Sequence, residues 1–356
     1  MAAPLRPILA QLRAYQPEES LGDAPLDANE NPYAPPRDWL ARAAALAKET
    51  LYQRYPDPAA SGLRKRLAAL HSLPEDGILF GNGSDELIGL LLTAFGGEGA
   101  LCLLPRPTFS MYRLCALGLG WKVHEEELGT DWGLTPAFVE AAKRLKPRLI
   151  FLASPNNPTG QAFDPALVDA LRGLEHSTLV LDEAYAEFGG RSLLAASSGE
   201  PGLVVLRTFS KAWGLAGLRL GWLSAQPALV KELEKVRLPY NLNSLTQALA
   251  CEALDMAPAF LGRVPGLLAQ RRRLEAALAG VPGMTLWPSD SNFVLARHAR
   301  SVELHAHLLK QGLRVRRFEG GALEHCIRIN AGDEAQTARL EAALAAFAKQ
   351  EGASAR

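Results

Sequence analysis

In the stretch TFSKAWGLAGLRLGW, residues 208–222, one lysine and one arginine stand among apolar residues and three glycines. Lysine is among the residues least often buried, because its ammonium is costly to remove from water unless something compensates. The preceding LVVLRTF reads as a short buried strand, so Lys211 falls where a strand gives way to its loop. In an open α/β sheet that edge is where ligands bind. A lysine amine placed there can condense with a carbonyl and hold it as a Schiff base. VLDEAYAEF (180–188) sets Asp182 at the end of another apolar strand, with Tyr185 close behind. Such an acid is paired or functional, since an unpaired buried carboxylate is costly.

Two more stretches bear on the same edge. FGNGSDELIGLLLTAF (80–95) runs strand, glycine turn, helix, and the free N–H groups of a first helical turn make an anion site. Taken alone, it equally suits an ordinary capped helix. SPNNPTG (154–160) is a loop of good turn formers after a strand, and in isolation is no more than a turn. Together the four stretches suit one chemical object. A phosphate calls for the helix start at Ser84, Asp85 and Glu86, for Arg219, and for the hydroxyls of Thr208 and Ser210. An aromatic cation calls for Asp182, an aldehyde for Lys211, and a phenolate oxygen for Asn157 and Tyr185. That object is pyridoxal 5′-phosphate, whose protonated ring serves as an electron sink for a substrate carbanion. A nicotinamide cofactor fits less well: GNGSDE lacks the full G-x-G-x-x-G spacing and leaves Lys211 without a purpose.

The elements that must position these groups follow from the apolar pattern. Strand-like runs fall at 77–80, 99–105, 147–155, 177–185, 202–210 and 219–225, with helical stretches such as 84–95, 135–145 and 164–173 between them. Continuous apolar strands alternating with amphipathic helices predict a mainly parallel sheet covered on both faces. In SGLRKRLAALH (61–71), Leu63, Leu67 and Leu70 recur at helical spacing behind Ser61 as a cap, and Arg64, Lys65 and Arg66 form a solvated face. After about residue 245 the pattern changes to a long helical region, short strands near SNFVLA and HCIRIN, and a final Ala-rich helix. The expected organisation is a large domain over 31–245 and a smaller α/β domain over 246–356, the latter completed by the N-terminal segment 1–30.

Composition narrows the function classes. Of 356 residues, 48% are hydrophobic and 21% charged, as in a globular enzyme. Lys plus Arg and Asp plus Glu each number 38, so no net field recruits nucleic acid or an anionic membrane. No apolar run reaches transmembrane length and the N-terminus lacks a signal-peptide pattern, which leads us to expect a cytoplasmic protein. Cys102, Cys115, Cys251 and Cys326 are widely separated, so neither a metal site nor a disulfide framework is expected.

LDANENPYAPP, RYPD, GNGSDE, PTFSMY, SPNNPTG, LDEAY and FSKAWGLAGLRLG together resemble the fold-type I, class II aminotransferases. LDANENPYAPP and RLPYNLNSL are most similar to the branch acting on L-histidinol phosphate. The resemblance implies a large cofactor-binding domain with a mainly parallel seven-stranded sheet, a smaller α/β domain, and a homodimer with active sites at the subunit interface. It implies transfer of the amino group of L-histidinol phosphate to 2-oxoglutarate, a step of histidine biosynthesis, through small-molecule substrates alone. Phe109 of PTFSMY then stacks on the cofactor ring; relatives often carry Tyr there, and stacking needs only the ring face. Tyr55 of RYPD reaches the phosphate of the neighbouring subunit's cofactor. Arg328 of CIRIN binds the substrate anion, with Tyr15, Asn157 and Arg316 as further substrate contacts. A solvent-facing Arg328 is the alternative. Aromatic amino-acid transamination and threonine-phosphate decarboxylation are the alternative reactions.

Overall fold

The apolar runs assemble into one sheet because their residues are buried on both faces. In the computed structural model, which describes residues 5–12 and 23–354, a two-residue strand β1 (Ala24–Pro25) precedes the seven strands of the central sheet. These are β2 (Ile78–Asn82), β3 (Leu101–Arg106), β4 (Lys122–Glu127), β5 (Leu149–Ala153), β6 (Thr178–Asp182), β7 (Leu203–Thr208) and β8 (Leu220–Ser224). Their order is β2-β8-β7-β6-β5-β3-β4. Only β8 runs antiparallel to its neighbours. Every residue of β5, β6, β7 and β8 is buried, which is why these segments read as near-continuous apolar runs rather than alternating ones.

Strand β4, KVHEEE, is absent from the expected strands, and its position explains why. It lies at the sheet's edge with no fully buried residue, and its charges pair with Arg106 and Arg113 of neighbouring elements. A charged edge strand has no apolar run to detect, and its charges discourage further strand pairing.

Helices α1 (Arg37–Glu49), α2 (Ser61–His71), α3 (Gly83–Phe95), α4 (Ser110–Gly118), α5 (Pro136–Leu145) and α6 (Pro165–Leu171) flank the sheet. Helix α2 departs from the expectation in three respects. Ser61 is its first helical residue, not its cap; Asp57 supplies the cap, accepting from Ala59 N at 2.9 Å and Ser61 N at 2.7 Å. Leu63 and Leu67 are buried but Leu70 is 42% exposed. Arg64 is no solvated residue: its guanidinium donates to Ile78 O at 2.6 Å and pairs with Glu234 at 3.1 Å, tying the helix to the start of the sheet.

The second body is built on an antiparallel sheet of β9 (Thr285–Leu286), β10 (Phe293–Arg297), β12 (Arg316–Arg317) and β13 (Cys326–Asn330), in the order β12-β13-β10-β9, while β11 (Leu313–Arg314) pairs in parallel with β1. Ala24 and Leu26 enter its core beside Val294, Ile327, Ile329 and residues of the helices Val264–Ala279, Ser301–Lys310 and Glu334–Ser354. The helix Ser244–Asp255 packs elsewhere. Its Leu249, Ala250 and Ala253 join Trp39, Leu63 and the large sheet, and Trp39 Nε1 donates to Leu249 O at 3.1 Å. The core of the large sheet thus continues past residue 245, where the sequence pattern changes.

Candidate active site

The functional side chains converge because the chain leaves the sheet at one edge. Strands β5, β6 and β7 end there at Ala153, Asp182 and Thr208, and the loops that follow carry Asn157, Tyr185, Ser210 and Lys211. Because β8 is antiparallel, the residue before its first, Arg219, returns to the same edge. Strand β2 delivers the start of α3, and β3 leads through Pro107 to Phe109 at the start of α4. A cleft of about 560 Å³ lies at this edge, between the two bodies. Ser84, Asp85, Phe109, Asn157, Asp182, Tyr185, Thr208, Ser210, Lys211, Arg219, Arg316 and Arg328 all line it.

At one end the cleft is an anion cradle. Gly83, at φ 73°, opens α3, and its N–H donates to Arg219 O at 2.8 Å. Arg219 is itself left-handed, at φ 49°, and its guanidinium meets Asp85 at 3.3 Å. Strand β8 passes so close that a Cβ on Gly221 would fall on the backbone of Gly83 and Ser84, 2.5 Å from Gly83 C. Thr208 Oγ1 donates to Ser210 Oγ at 2.9 Å, and Ser210 N donates to Thr208 Oγ1 at 3.0 Å. Hydroxyls, a guanidinium and a helix N-terminus thus face one space, a set suited to a phosphate.

Deeper in, Asp182 is buried and accepts from Tyr112 Oη at 2.7 Å and from Ala184 N at 3.0 Å. Burial pushes its carboxyl up to about 6; the two hydrogen bonds pull it down, and Asp85 and Glu183 push it further up. Among the described residues it has no ion-pair partner, so it is a buried anion suited to a cation. Lys211 Nζ donates to Ala28 O at 2.9 Å and lies 5.8 Å from the centroid of the Tyr185 ring. Tyr185 Oη accepts from Asn29 Nδ2 at 2.9 Å, which leaves its own proton to donate.

The second body closes the other side. Arg316 of β12 and Arg328 of β13 are directly opposed in the antiparallel ladder. Arg328 donates to Asn157 Oδ1 and to Asp27 O, and lies over the rings of Phe293 and Phe318 at 5.4 Å and 6.0 Å. Its solvent-facing alternative is thereby corrected: the side chain is part of the cleft wall.

Two expected residues lie elsewhere. Glu86, the fourth residue of α3, turns back to the start of its own helix, accepting from Asn82 N and, at 3.1 Å, from Asn241 Nδ2. Tyr55 is 80% exposed and stacks on Tyr240 with ring centroids 4.5 Å apart, outside this chain's cleft. Tyr15 lies outside the described residues. Conversely, sequence reasoning missed Tyr112 and residues 27–30. Tyr112 sits three residues after Phe109, on the same side of the first turn of α4, a spacing that could have flagged it. Asn29 is 1% exposed at φ 55°, its N–H on Asn330 Oδ1 at 3.2 Å and its carbonyl on Asn292 Nδ2 at 3.2 Å. A buried left-handed asparagine strapping two bodies has no local sequence signature. Among the described residues no helix is long and apolar enough to cross a membrane.

Comparison with known proteins agrees with this geometry. Residues 24–344 match the family model for aminotransferase class I and II. A histidinol-phosphate aminotransferase 2 of Nitrosococcus oceani is 38% identical over 335 residues, 92% of each chain. A histidinol-phosphate aminotransferase 1 of Carboxydothermus hydrogenoformans is 40% identical over 93% of this chain and 95% of its own. The crystal structure of histidinol-phosphate aminotransferase from Sinorhizobium meliloti in complex with pyridoxal 5′-phosphate superposes with a TM-score of 0.88 at 25% identity, over 98% of this chain and 99% of that one. With the lysine, the buried acid and the anion cradle meeting at one sheet edge, the chain belongs to the class I and II aminotransferases, fold-type I enzymes that depend on pyridoxal 5′-phosphate.

Proposed function

We propose that the enzyme moves the amino group of L-histidinol phosphate to 2-oxoglutarate, releasing imidazole acetol phosphate and glutamate. The observation that carries the anionic part of the substrate assignment is the opposition of Arg316 and Arg328 across the β12–β13 ladder at the cleft. Directly opposed residues share one face with Cβ atoms about 4.5–5.5 Å apart, close enough for two guanidinium forks to share one phosphate or carboxylate. Both relatives described above are named histidinol-phosphate aminotransferases, which supports this donor for the chain.

The residues of the cleft fit the cofactor. Asp182 is the anion for its ring nitrogen, and Phe109 offers a ring face. Ser84, Asp85, Thr208, Ser210 and Arg219 would hold its phosphate, with Ser84 and Asp85 acting through the N–H groups of the first turn of α3. Asn157, whose Oδ1 is held by Arg328, has its amide nitrogen for the phenolic oxygen, and Tyr185 has its free hydroxyl proton. Bound there, pyridoxal 5′-phosphate supplies a carbonyl that condenses with an amine and a ring that accepts an electron pair from the α-carbon. Lys211 Nζ, released from Ala28 O, takes the proton from the substrate's α-carbon as general base and returns a proton as general acid. Asp182 holds its negative charge where positive charge must be kept through that step. Arg328 and Arg316 orient the substrate by its anion, first the phosphate ester and then a carboxylate of 2-oxoglutarate.

We assign the exposed Tyr55 to the cofactor phosphate of a partner subunit in a homodimer, and place the enzyme in the cytoplasm, where unpaired cysteines such as these persist. The test is a comparison of L-histidinol phosphate, phenylalanine and tyrosine as donors to 2-oxoglutarate by kcat/KM. Histidinol phosphate should lead by at least roughly a hundredfold, because the smaller, singly charged carboxylate of an amino acid leaves donors that a phosphate ester would engage unmatched. Parity with phenylalanine or tyrosine would replace the substrate assignment by an aromatic one, and release of carbon dioxide by a decarboxylase.

A further inference from the structure

We propose that Tyr112 is a positioning residue for the cofactor's ring: its hydroxyl holds the Asp182 carboxylate in one orientation and keeps it anionic before the cofactor arrives. The inference rests on the cofactor assignment and is independent of the substrate. Tyr112 has no exposed surface. Its ring stacks on Phe151 with centroids 5.1 Å apart and meets Phe109 edge-on at 5.4 Å, so the hydroxyl cannot swing away. It meets Asp182 Oδ2 at 2.7 Å while Oδ1 takes the Ala184 N–H at 3.0 Å, so each carboxylate oxygen is held by one neutral donor. Burial and the neighbouring carboxylate push the Tyr112 phenol well above its ordinary range, so the shared proton belongs to Tyr112.

The rest of the surroundings work against an anion. Asp85 from α3 and Glu183 beside it are acids that disfavour a further negative charge, and burial adds to them. Tyr185 follows on the same turn, while Lys211, Arg219, Arg316 and Arg328 are the cations lining the same cleft, none of them paired with Asp182. A carboxyl that is already protonated cannot receive a cationic ring without losing its proton. Cofactor affinity must therefore fall as pH drops through the titration of Asp182, and the Tyr112 hydroxyl keeps that fall on the acid side of neutrality.

The experiment measures the dissociation constant of pyridoxal 5′-phosphate against pH for the wild-type chain and for Tyr112→Phe, starting from cofactor-free protein. The substitution removes one oxygen and leaves both ring contacts in place. The acid limb, with a wild-type midpoint near the Asp182 value of about 6, should move up by about one pH unit in Tyr112→Phe, with the alkaline plateau unchanged. Below both midpoints the variant should bind about tenfold more weakly. Infrared titration of cofactor-free chains labelled with ¹³C-aspartate reads the same event directly. The protonated-carboxyl band that Asp182→Asn abolishes should titrate at higher pH in Tyr112→Phe. In an Asp182→Asn background, Tyr112→Phe should leave the pH profile where it was. An unmoved midpoint, or an equal loss at every pH, would overturn the assignment, the second being the mark of a packing role alone. Absence of cofactor binding by the wild type would instead overturn the cofactor reading, and the infrared titration would still decide whether Tyr112 governs Asp182.

Discussion

Replacing Asp182 by asparagine should push stability and catalysis in opposite directions. Burial raises the Asp182 carboxyl from 3.8 to about 6 in the folded chain. An acid whose folded value is raised favours the folded state below its unfolded value, and that contribution is lost as pH rises through the folded value. The full effect of this shift is on the order of 3 kcal/mol, all of it lost by about pH 8, where the cofactor-free chain carries a buried and unpaired charge. Asparagine removes that charge but has only one acceptor for the two donors, Tyr112 Oη and Ala184 N, and a buried orphaned donor costs roughly 1–3 kcal/mol. At about pH 8 the cofactor-free variant should therefore equal the wild type or exceed it by up to about 2 kcal/mol in urea unfolding. Its advantage should shrink by about 1.4 kcal/mol at about pH 5, where the wild-type carboxyl has regained most of its protons. With the cofactor bound the sign reverses, because losing one partner of a buried ion pair costs about 3–5 kcal/mol, or roughly two to four orders of magnitude in turnover. A difference in stability that does not change with pH, or near-normal turnover by the variant, would refute the reasoning and remove Asp182 from the site.

Borohydride reduction followed by peptide mapping should find the pyridoxyl label on Lys211; a label on another lysine would end the assignment of that residue. Gly221→Ala drives a Cβ into the backbone of Gly83 and Ser84, so it should cost about 1–3 kcal/mol of stability and displace the first turn of α3. Titration should then show weakened affinity for pyridoxal 5′-phosphate but not for pyridoxal, which lacks the phosphate. Arg328→Lys keeps the charge but loses the fork held by Asn157 and Asp27, and should lower kcat/KM for the phosphorylated donor by at least about tenfold. Mixed Lys211→Ala and Tyr55→Ala chains should recover activity as heterodimers, since one of the two sites then has both residues intact; no recovery under demonstrated subunit exchange would confine Tyr55 to a role in its own chain.

Six of the seven strands of the central sheet, and most of the site's inventory, are legible in the amino-acid sequence alone. Buried parallel strands are near-continuously apolar, so a charged or hydroxyl residue at their carboxyl ends stands out. Lys211, Asp182 and Thr208 were legible for that reason, as was the glycine turn before α3. What depended on contacts distant in sequence was not legible. Strand β4 is held by its place at the edge, where polar residues suffice, so its composition resembles a loop. Glu86 was placed with the phosphate groups by its position in the helix, yet its carboxylate folds back on Asn82 and Asn241, a choice set by side-chain reach. The bond between Tyr112 and Asp182 joins residues 70 apart in the chain, and the Asn29 strap meets Asn330 across 301 residues. Only the tertiary structure decides such pairs, because a hydrogen bond is specified by distances of about 3 Å between atoms that the chain must first be folded to bring together.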